Sequence, residues 1–432
     1  MAEQNKKDYS SKRLIDHAKK LFPICRSITG EGIRQTLSYF EEYHPEFERI
    51  IFSTGEMVFD WEIPEEWIII DAYLEHLKTG KRFAEFKHSN LNIVGYSTPI
   101  KKVLDKKNII KRIHTLPNQP NLVPYVTSYY KKTWGFCMTH NQKKVLPEGQ
   151  YNVVINSKFK KGNLDLSHAL IKGTSSKEIF FSSYVCHPSM ANNELSGPVV
   201  LNGIIDYLKK YKSPLKFSYR FVLLPETIGS IAYISRFEQK LKKNVICGFN
   251  LSCVGDERCY SCVQSPNKNT LADKALEASL IGIKNKKIYD FTERGSDERQ
   301  YCSPNINLPL CTFSKSKFGT FPEYHTNADN FDLVTDKGLN ESLELFKDII
   351  DSFEISLNPT NLTKCEPQLS KRNLYPSISK KEFMEKEFKL RMNVLAFSNG
   401  ENSIFDIAIK LNIPLELINK EVDLLKNAGL LI

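Results

Sequence analysis

Between residues 165 and 357 the sequence alternates continuous apolar runs with amphipathic segments of helical period, and this alternation constrains the fold more than any other feature. The runs have the length of strands and are apolar at successive positions, which is typical of strands buried on both faces. Strands that alternate with helices predict an α/β domain with a mostly parallel sheet covered on both sides. The clearest strand candidates are EIFFSSYV, YRFVLLP, VICGFNL and NLPLCTFS.

The regions around this alternation predict further domains. Residues 48–164 contain short β-type runs separated by turn residues, which predicts a small all-β domain inserted into the α/β domain. Residues 9–43 are predicted to form helices interrupted by a loop, and residues 1–47 are assigned, together with 165–357, to the α/β domain. Residues 358–378 carry three prolines among polar residues and are predicted to form a linker. Residues 379–432 contain three helical segments followed by GLLI, which is the order of a winged-helix domain.

Composition restricts the class of protein. No stretch is as long and apolar as a membrane span, and the polar start MAEQNKKDYSSKR lacks the apolar part of a signal peptide. The ten cysteines are scattered, mostly within apolar runs, as free thiols of a reducing compartment are. We therefore expect a cytoplasmic protein with no membrane attachment. The net charge of +10 comes from lysines spread over the chain, which favours a solvated surface over a nucleic-acid site.

Polar side chains follow several of the predicted strands. His187, Glu226 and Asp256 each come shortly after one strand, and His325 lies further on in PEYHTNADN. Because the carboxyl ends of parallel strands meet at one edge of a sheet, we expect these side chains to lie close together. Imidazole and carboxylate groups are the usual ligands of a catalytic zinc ion, and a carboxylate beside its water can act as a general base. The pattern therefore indicates a metal-dependent hydrolase.

These motifs resemble those of the M28 zinc aminopeptidases, in the segments CHP, ANNELSG, PETIGS and YHTNAD. From about residue 14 to residue 432 the chain more closely resembles an uncharacterised bacterial family. That family joins an M28-type aminopeptidase-like domain, an inserted β domain of the DUF4910/DUF2172 type and a C-terminal winged helix. It is often linked to surface-polysaccharide gene clusters. The resemblance rests on LFPICRSITGEGIRQTL, VFDWEIPEEW, VPYVTSYYKKTWGFC, CHPSMANNELSGP, RGSDERQYCSP and PEYHTNADN.

The resemblance implies a hydrolase that cleaves an amide or peptide bond, and it implies roles for the residues of the site. His187 and His325 are expected to bind zinc, and Asn193 or Glu194 is expected to supply a further ligand. Glu226, which remains of the family's acidic pair, is expected to take a proton from water. Asn193 stands where the family has an Asp that bridges two ions. Because a neutral amide holds two cations poorly, we expect one zinc ion rather than two.

Further residues are assigned less directly. Ser252 falls where the family has another Asp ligand, which leaves Asp256 as its substitute. The expected substrate is a small peptide-like or aminoacyl compound, and arginine can bind a carboxylate of such a compound through two parallel hydrogen bonds. For the charged run 294–299 a solvated loop is the alternative. The residues predicted to bind substrate are Arg26, Arg294, Asp297, Glu298, Arg299 and Tyr324.

Two other functions stay open. The winged helix predicts DNA binding, but residues 365–432 hold ten Lys and Arg against nine Asp and Glu, a net charge of only +1. A domain that binds the phosphates of DNA is expected to be more basic. A packing or dimerisation role is therefore favoured, and nucleic acid is not expected as a partner. A protein that binds peptide or carbohydrate without cleaving it is the other alternative, and Asn193 supports it. Homo-oligomerisation also stays open.

Overall fold

The computed structural model describes residues 8–211, 214–375 and 381–432. In chain order the strands are β1 (Phe47–Ser53), β2 (Met57–Val58), β3 (Trp61–Glu62), β4 (Glu66–His76), β5 (Arg82–Phe83), β6 (Ile100–Asp105), β7 (Ile113–His114), β8 (Phe136–Cys137), β9 (Gln150–Lys160), β10 (Asn163–Ile171), β11 (Glu178–Tyr184), β12 (Ser218–Leu224), β13 (Val245–Leu251), β14 (Tyr260–Val263), β15 (Lys286–Tyr289) and β16 (Leu310–Ser314). The α-helices are α1 (Leu14–Leu21), α2 (Glu31–Glu41), α3 (Lys106–Ile109), α4 (His140–Lys144), α5 (Ser196–Lys209), α6 (Ile228–Asn244), α7 (Leu271–Ser279), α8 (Glu298–Tyr301), α9 (Asp336–Ser356), α10 (Lys381–Phe397), α11 (Ile404–Leu411) and α12 (Leu415–Asn427).

The main sheet has the strand order β1-β10-β12-β11-β13-β16-β14-β15. Its centre, from β12 through β11 and β13 to β16, pairs in parallel, whereas β1, β10 and β14 add antiparallel pairs. Every residue of β11, β12 and β16 is buried, as the continuous apolar runs in the sequence indicate. The predicted mostly parallel α/β sheet is thus confirmed.

Helices cover both faces of this sheet. On β11 the ring of Phe181 packs against Phe346 of α9, whereas its neighbour Phe180 packs against Tyr301 of α8. Successive residues of a strand point to opposite faces, so α8 and α9 lie on opposite sides.

Within the described ranges, no helix combines the length and the apolar character that crossing a bilayer requires.

The β-rich insertion begins and ends beside the main sheet. β1 pairs with β10 from Phe47 opposite Ala169 to Ser53 opposite Asn163, so the insertion leaves after Ser53 and returns at Asn163. The sequence places β1 within the predicted insertion 48–164, and in the structure β1 is an edge strand of the main sheet with an alternating burial pattern. Inside the insertion, β5, β4, β9 and β6 form an antiparallel sheet in that order.

The C-terminal unit has the three helices of a winged-helix domain, α10 to α12. The first residues of the predicted linker pair with the end of the chain, since Asn361 and Leu431 form an antiparallel bridge. α12 packs against α9 of the α/β domain. There Asn419 accepts a hydrogen bond from Ser352 and donates one to the carbonyl oxygen of Asp348, both of 2.8 Å. The part of the predicted linker at 376–378 lies outside the described residues.

Candidate metal centre

The chains that leave β11, β12 and β16 converge at one edge of the sheet, as the carboxyl ends of parallel strands do. They carry His187, Glu226 and His325, the three residues on which the predicted site depends. Ser189, Thr227 and His325 have positive φ values of 49°, 66° and 55°. This backbone conformation is unfavourable for residues other than glycine, and such residues are concentrated at functional sites.

His187 is buried, and its two ring nitrogens have different partners. Nδ1 lies 2.6 Å from Glu194 Oε2, and Nε2 lies 3.6 Å from Glu226 Oε2. Burial, followed by the charge of Arg26, lowers the pKa of His187 to about 3, so the imidazole is neutral at pH 7. When the Glu194 carboxylate is ionised and accepts the Nδ1 hydrogen, Nε2 of the neutral ring is free to bind a cation.

Glu194 is buried beneath this ring. Its Oε1 atom has no hydrogen-bond partner among the described residues. Burial raises the pKa of Glu194 to about 8, although the charge of Arg26 acts in the opposite direction. Because Oε2 is already bonded to His187, the geometry favours Glu194 as the group that orients this histidine over the predicted role as a metal ligand.

Cys186 offers a competing arrangement. Its thiol, one His187 nitrogen and the Glu194 carboxylate lie within 4.8 Å of one another, so these three residues could also surround a cation. However, the nitrogen nearest to Sγ is Nδ1, which the Glu194 carboxylate already occupies. Burial also raises the pKa of the Cys186 thiol well above its usual value, so the sulfur stays protonated. The Nε2 side of His187 is therefore the better cation site.

His325 faces His187 across the edge of the sheet. The two ring centroids are 5.3 Å apart, and Tyr324 stacks on His325 at 3.9 Å. Burial, followed by the proximity of His187, lowers the pKa of His325 to about 3, so this imidazole is neutral as well. Two neutral imidazoles that face each other at this distance suit a shared cation, because imidazole binds metal only in its neutral form.

Glu226 brings a carboxylate to the same place. Its side chain is 22% exposed, which keeps it in reach of solvent. Burial and the neighbouring Asp297 raise the pKa of Glu226 well above its usual value. Asp297 accepts hydrogen bonds of 2.8 Å from the Thr227 backbone N–H and the Ser230 hydroxyl, which fixes the chain where α6 begins. Burial raises the pKa of Asp297 to about 6.

Asn193 lies between His325 and a buried tyrosine. Its Nδ2 is 3.3 Å from His325 Nε2, and its Oδ1 accepts a hydrogen bond of 3.0 Å from the Tyr184 hydroxyl. The same hydroxyl lies 2.5 Å from Ser252 Oγ. Since the Tyr184 hydroxyl can either donate or accept, the opposite orientation of the Asn193 amide, which turns its oxygen toward His325, also keeps a hydrogen bond to this hydroxyl. Asn193 thus keeps its predicted capacity to ligate.

Asp329 holds the loop that carries Asn193, although it was not among the predicted site residues. Its carboxylate accepts the backbone N–H groups of Ala191, Asn192 and Asn193, at the start of a π-helical turn that spans Ala191–Leu195. Burial raises the pKa of Asp329 to about 7, against the effect of these hydrogen bonds. The motif YHTNAD contains this residue, but sequence alone does not distinguish an Asp that binds a loop from one that binds a metal.

Two of the predicted site residues, Asp256 and Glu298, form hydrogen bonds to neighbouring loops. The Asp256 carboxylate accepts hydrogen bonds from Asn192 Nδ2 and from the Ser316 backbone N–H and hydroxyl. The Glu298 carboxylate accepts the backbone N–H of Gly295 and the hydroxyl of Thr312. Both carboxylates are fully buried in contacts that join neighbouring loops. This geometry favours a structural role for Asp256 and Glu298 over metal or substrate binding.

The predicted arginines lie in three different environments. Arg26 is buried, and it donates to the backbone carbonyl oxygens of His187 and Leu21. Arg299 is exposed, and its Nη2 donates to Thr227 Oγ1 at 2.6 Å, which places its charge near Glu226. Arg294 is exposed, and its guanidinium lies 5.0 Å from the centre of the Phe291 ring. Of the three, Arg299 is therefore the one whose position suits contact with a substrate.

Tyr125 is a site residue that the sequence did not reveal, and it comes from the inserted domain. Its ring lies 5.1 Å from that of His187 and 5.2 Å from that of His325. Its backbone N–H donates to the carbonyl oxygen of His325 at 2.8 Å. The segment VPYVTSYY carries Tyr125, but the fold alone brings that segment to the edge of the sheet.

The chain matches two families of known sequence. Residues 15–356 match the family described as a domain of unknown function, DUF4910, and residues 358–432 match a winged helix-turn-helix family. The first match covers well over half of the chain. The chain belongs to the DUF4910 family. The predicted family, with its aminopeptidase-like domain and winged helix, is thereby confirmed.

Other members and neighbours agree with this assignment. A Clostridium acetobutylicum protein, provisionally named a polysaccharide biosynthesis protein with an aminopeptidase-like domain, is 39% identical over 415 residues, which are 95% of this chain and 94% of that protein. A crystal structure from the same organism, provisionally described as a peptidase, has a TM-score of 0.88 at 38% identity and covers 97% of this chain and 95% of its own.

More distant structures share the fold of the DUF4910 chain. A zinc aminopeptidase from Bacillus subtilis has a TM-score of 0.56 at 13% identity, over 78% of this chain and 94% of its own. A peptidase M28 precursor from Shewanella amazonensis has a TM-score of 0.55 at 9% identity, over 78% of this chain and 92% of its own. This DUF4910 protein therefore has a peptidase-like fold of the M28 aminopeptidase type.

Proposed function

We propose that this protein is a zinc-dependent hydrolase that cleaves an amide bond in a small polar substrate. The observation that carries the proposal is the pairing of two neutral, buried imidazoles, His187 and His325, with the carboxylate of Glu226 at one sheet edge. The zinc aminopeptidases that share the fold support the choice of metal, because imidazole and carboxylate donors with an open position are typical of catalytic zinc.

We assign the metal to the Nε2 atoms of His187 and His325, with the amide oxygen of Asn193 as the third donor. Glu194 orients His187 from behind. One ion is proposed rather than two, because the residues beside Tyr184 are the neutral Asn193 and Ser252, which both form hydrogen bonds with the Tyr184 hydroxyl. A second cation there would lack a carboxylate ligand.

The reaction follows from the positions of the side chains. A zinc ion bound here would polarise the substrate carbonyl and lower the pKa of water. Glu226 would accept a proton from a water molecule in the site and return it to the leaving nitrogen, because its side chain is 22% exposed and therefore in reach of solvent. Tyr324 and Arg299 flank the same space and bind the substrate in an orientation that brings its amide to Glu226.

The substrate class is inferred from the relative at 39% identity, whose name joins polysaccharide biosynthesis with an aminopeptidase-like domain. We infer an aminoacyl or N-acyl group carried by a small precursor of a surface polysaccharide, or a short peptide. Both classes present one amide bond between polar groups, which suits a site that is built from polar loops.

The test separates the base from the metal ligands. Glu226→Gln removes the group that accepts the proton and leaves both histidines in place, so turnover of an aminoacyl p-nitroanilide is expected to fall by about 10²- to 10⁴-fold while the zinc content is unchanged. Glu148→Gln, at an exposed position of the inserted domain, is the matched control and should keep full turnover. A Glu226→Gln variant as active as the wild type would contradict the proposal.

A binding protein without turnover is the second candidate, and Asn193 is the observation that favours it, since this position lacks a charged ligand. The hydrolase and the binding protein differ in whether the bound compound is cleaved. Wild-type protein loaded with zinc would bind the aminoacyl compound without cleaving it if the second candidate were right.

A further inference from the structure

A pocket of about 480 Å³ opens beside the candidate metal centre, at the boundary between the inserted domain and the loop of His325. The ring of His325 and its neighbour Tyr324 form one wall. The other walls come from the inserted domain, through Tyr125 and the segment around Ile113. Small-molecule sites are commonly found at such domain boundaries, so this pocket is a natural place for part of a substrate.

The two walls are joined by hydrogen bonds of backbone and side-chain groups, which hold the shape of the pocket. Tyr125 donates from its backbone to His325, and Asn327 donates to the carbonyl oxygen of Val123 at 3.0 Å. The Asn327 side chain also accepts the Val123 N–H at 2.8 Å. Gln119 donates to the carbonyl oxygen of Pro322 at 2.7 Å. A ligand therefore meets a preformed cleft rather than one that must close first.

One charged side chain lines this pocket, that of Lys143 on α4. Its Nζ donates to the carbonyl oxygen of Ile113 at 2.7 Å, which uses one of its three N–H groups and holds the ammonium at the wall. Lys143 forms no ion pair with any carboxylate in the parts of the chain that the structure describes. Desolvation lowers the pKa of Lys143, as expected for a partly buried ammonium without a counter-charge.

The remaining lining combines apolar and aromatic residues with the polar residues His114, Thr115 and Gln119. Leu116, Pro124 and Val126 contribute apolar surface, and the rings of Tyr125 and Tyr324 add flat faces. A pocket with apolar patches and one cation that lacks a carboxylate partner favours a ligand with a short carbon chain that ends in an anion. Because His325 belongs to the same wall, such a ligand would lie next to the reacting amide.

We propose that this pocket is a substrate subsite in which Lys143 of the inserted domain binds a carboxylate carried by the amide substrate. The inference rests on the proposed hydrolase function and adds its specificity: the enzyme selects acidic substrates. The inserted domain thereby supplies the specificity, and the α/β domain supplies the groups that react.

Two pairs of probes that differ only in charge test the subsite. Glutamyl- and glutaminyl-p-nitroanilide vary the acyl side of the amide, and the C-terminal amides of Ala-Glu and Ala-Gln vary the leaving side. In one of these pairs the acidic member is expected to have a kcat/KM at least about tenfold higher, the size typical of a hydrogen bond to a charged group.

Variants of one residue then identify the cation. Lys143→Met keeps most of the side-chain volume but removes the charge, and it should bring the ratio of acidic to neutral substrate to about one. Lys143→Arg keeps the charge and should keep the preference. Lys144→Ala, at the neighbouring exposed position, is the matched control and should leave the ratio unchanged. Thermal unfolding of each variant verifies that α4 is still folded.

The result separates this inference from the proposed function. Calorimetric binding of glutamate and glutamine, and of the two dipeptide amides, requires no turnover. If no probe is cleaved but an acidic one binds and Lys143→Met abolishes that binding, the hydrolase proposal fails and the subsite stands. If substrates are cleaved with no preference for the acidic member, or if Lys143→Met keeps the preference, the subsite is wrong and the hydrolase stands. If no acidic probe binds or reacts better than its neutral partner, the subsite is likewise overturned.

Discussion

At the scale of single residues, the role of a side chain in the site depends more on which of its atoms faces the site than on the type of residue. His187 uses Nδ1 for the Glu194 carboxylate, and this leaves Nε2 toward His325 and Glu226. The motifs of the sequence led to both histidines and to Glu226. They could not separate the roles of Asn193 and Glu194, because adjacent residues on a turn point in different directions.

A substitution of Glu194 tests whether this residue orients His187 while Asn193 binds the metal. In the Glu194→Gln variant the buried group that orients His187 loses its charge, so the dissociation constant for zinc should rise by about 10- to 100-fold, as is usual when a carboxylate behind a ligating histidine is removed. Zinc titration against a competing chelator measures the change. Glu148→Gln, with a side chain 85% exposed, should bind zinc like the wild type. A zinc affinity that is unchanged in Glu194→Gln would refute the orienting role.

At the scale of elements, the site depends on how closely α5 approaches the sheet. A side chain at Gly197 would lie 2.2 Å from Ser183 Oγ and 2.4 Å from the carbonyl oxygen of Leu251, so only glycine permits this approach. The preceding π-helical turn, which Asp329 holds by three backbone N–H groups, then points Asn193 at His325.

Strands and helices of the α/β domain could be predicted from periodicity. The π-helical turn and the docking of Tyr125 could not, since both depend on contacts between distant segments.

The winged helix gives a prediction at the same scale. α12 is the third helix of its unit, the one that enters the major groove in helix-turn-helix proteins. Here it packs against α9, where the buried Asn419 bonds to Ser352 and Asp348. Because α12 is covered and residues 365–432 have a net charge of only +1, we expect no shift of a duplex DNA in a gel assay at about 50 mM salt. A shift that weakens as salt is raised would show that α12 is available to DNA and that this packing is not retained.

At the scale of the whole molecule, the site places acidic groups where water is excluded. Burial raises the pKa of Glu194 to about 8, whereas a carboxyl group of this type in the unfolded chain titrates near its usual value of 4.5. The folded state thus holds a proton that the unfolded state releases. The stability associated with this proton is fully present below about pH 4.5 and is lost as the pH rises through about 8.

Thermal unfolding in the presence of a chelator measures this effect. The melting temperature of the wild type relative to Glu194→Gln should fall between pH 5 and pH 9, because glutamine has no proton to lose. If the difference between the two proteins stays constant over this range, or grows, Glu194 does not titrate in the way that its buried position implies. The chelator is needed because bound zinc would favour the ionised carboxylate.

In the proposed site two imidazoles, distant in sequence, bind one cation together. Metal content of the purified, zinc-loaded protein tests this directly. Wild-type protein is expected to hold about one zinc ion per chain, and His187→Ala and His325→Ala should each hold less than about a tenth of that, because a site of so few ligands does not survive the loss of one. His88→Ala, at a side chain 65% exposed, should match the wild type. Wild-type zinc content in both site variants, or a wild type that binds no zinc, would contradict the account.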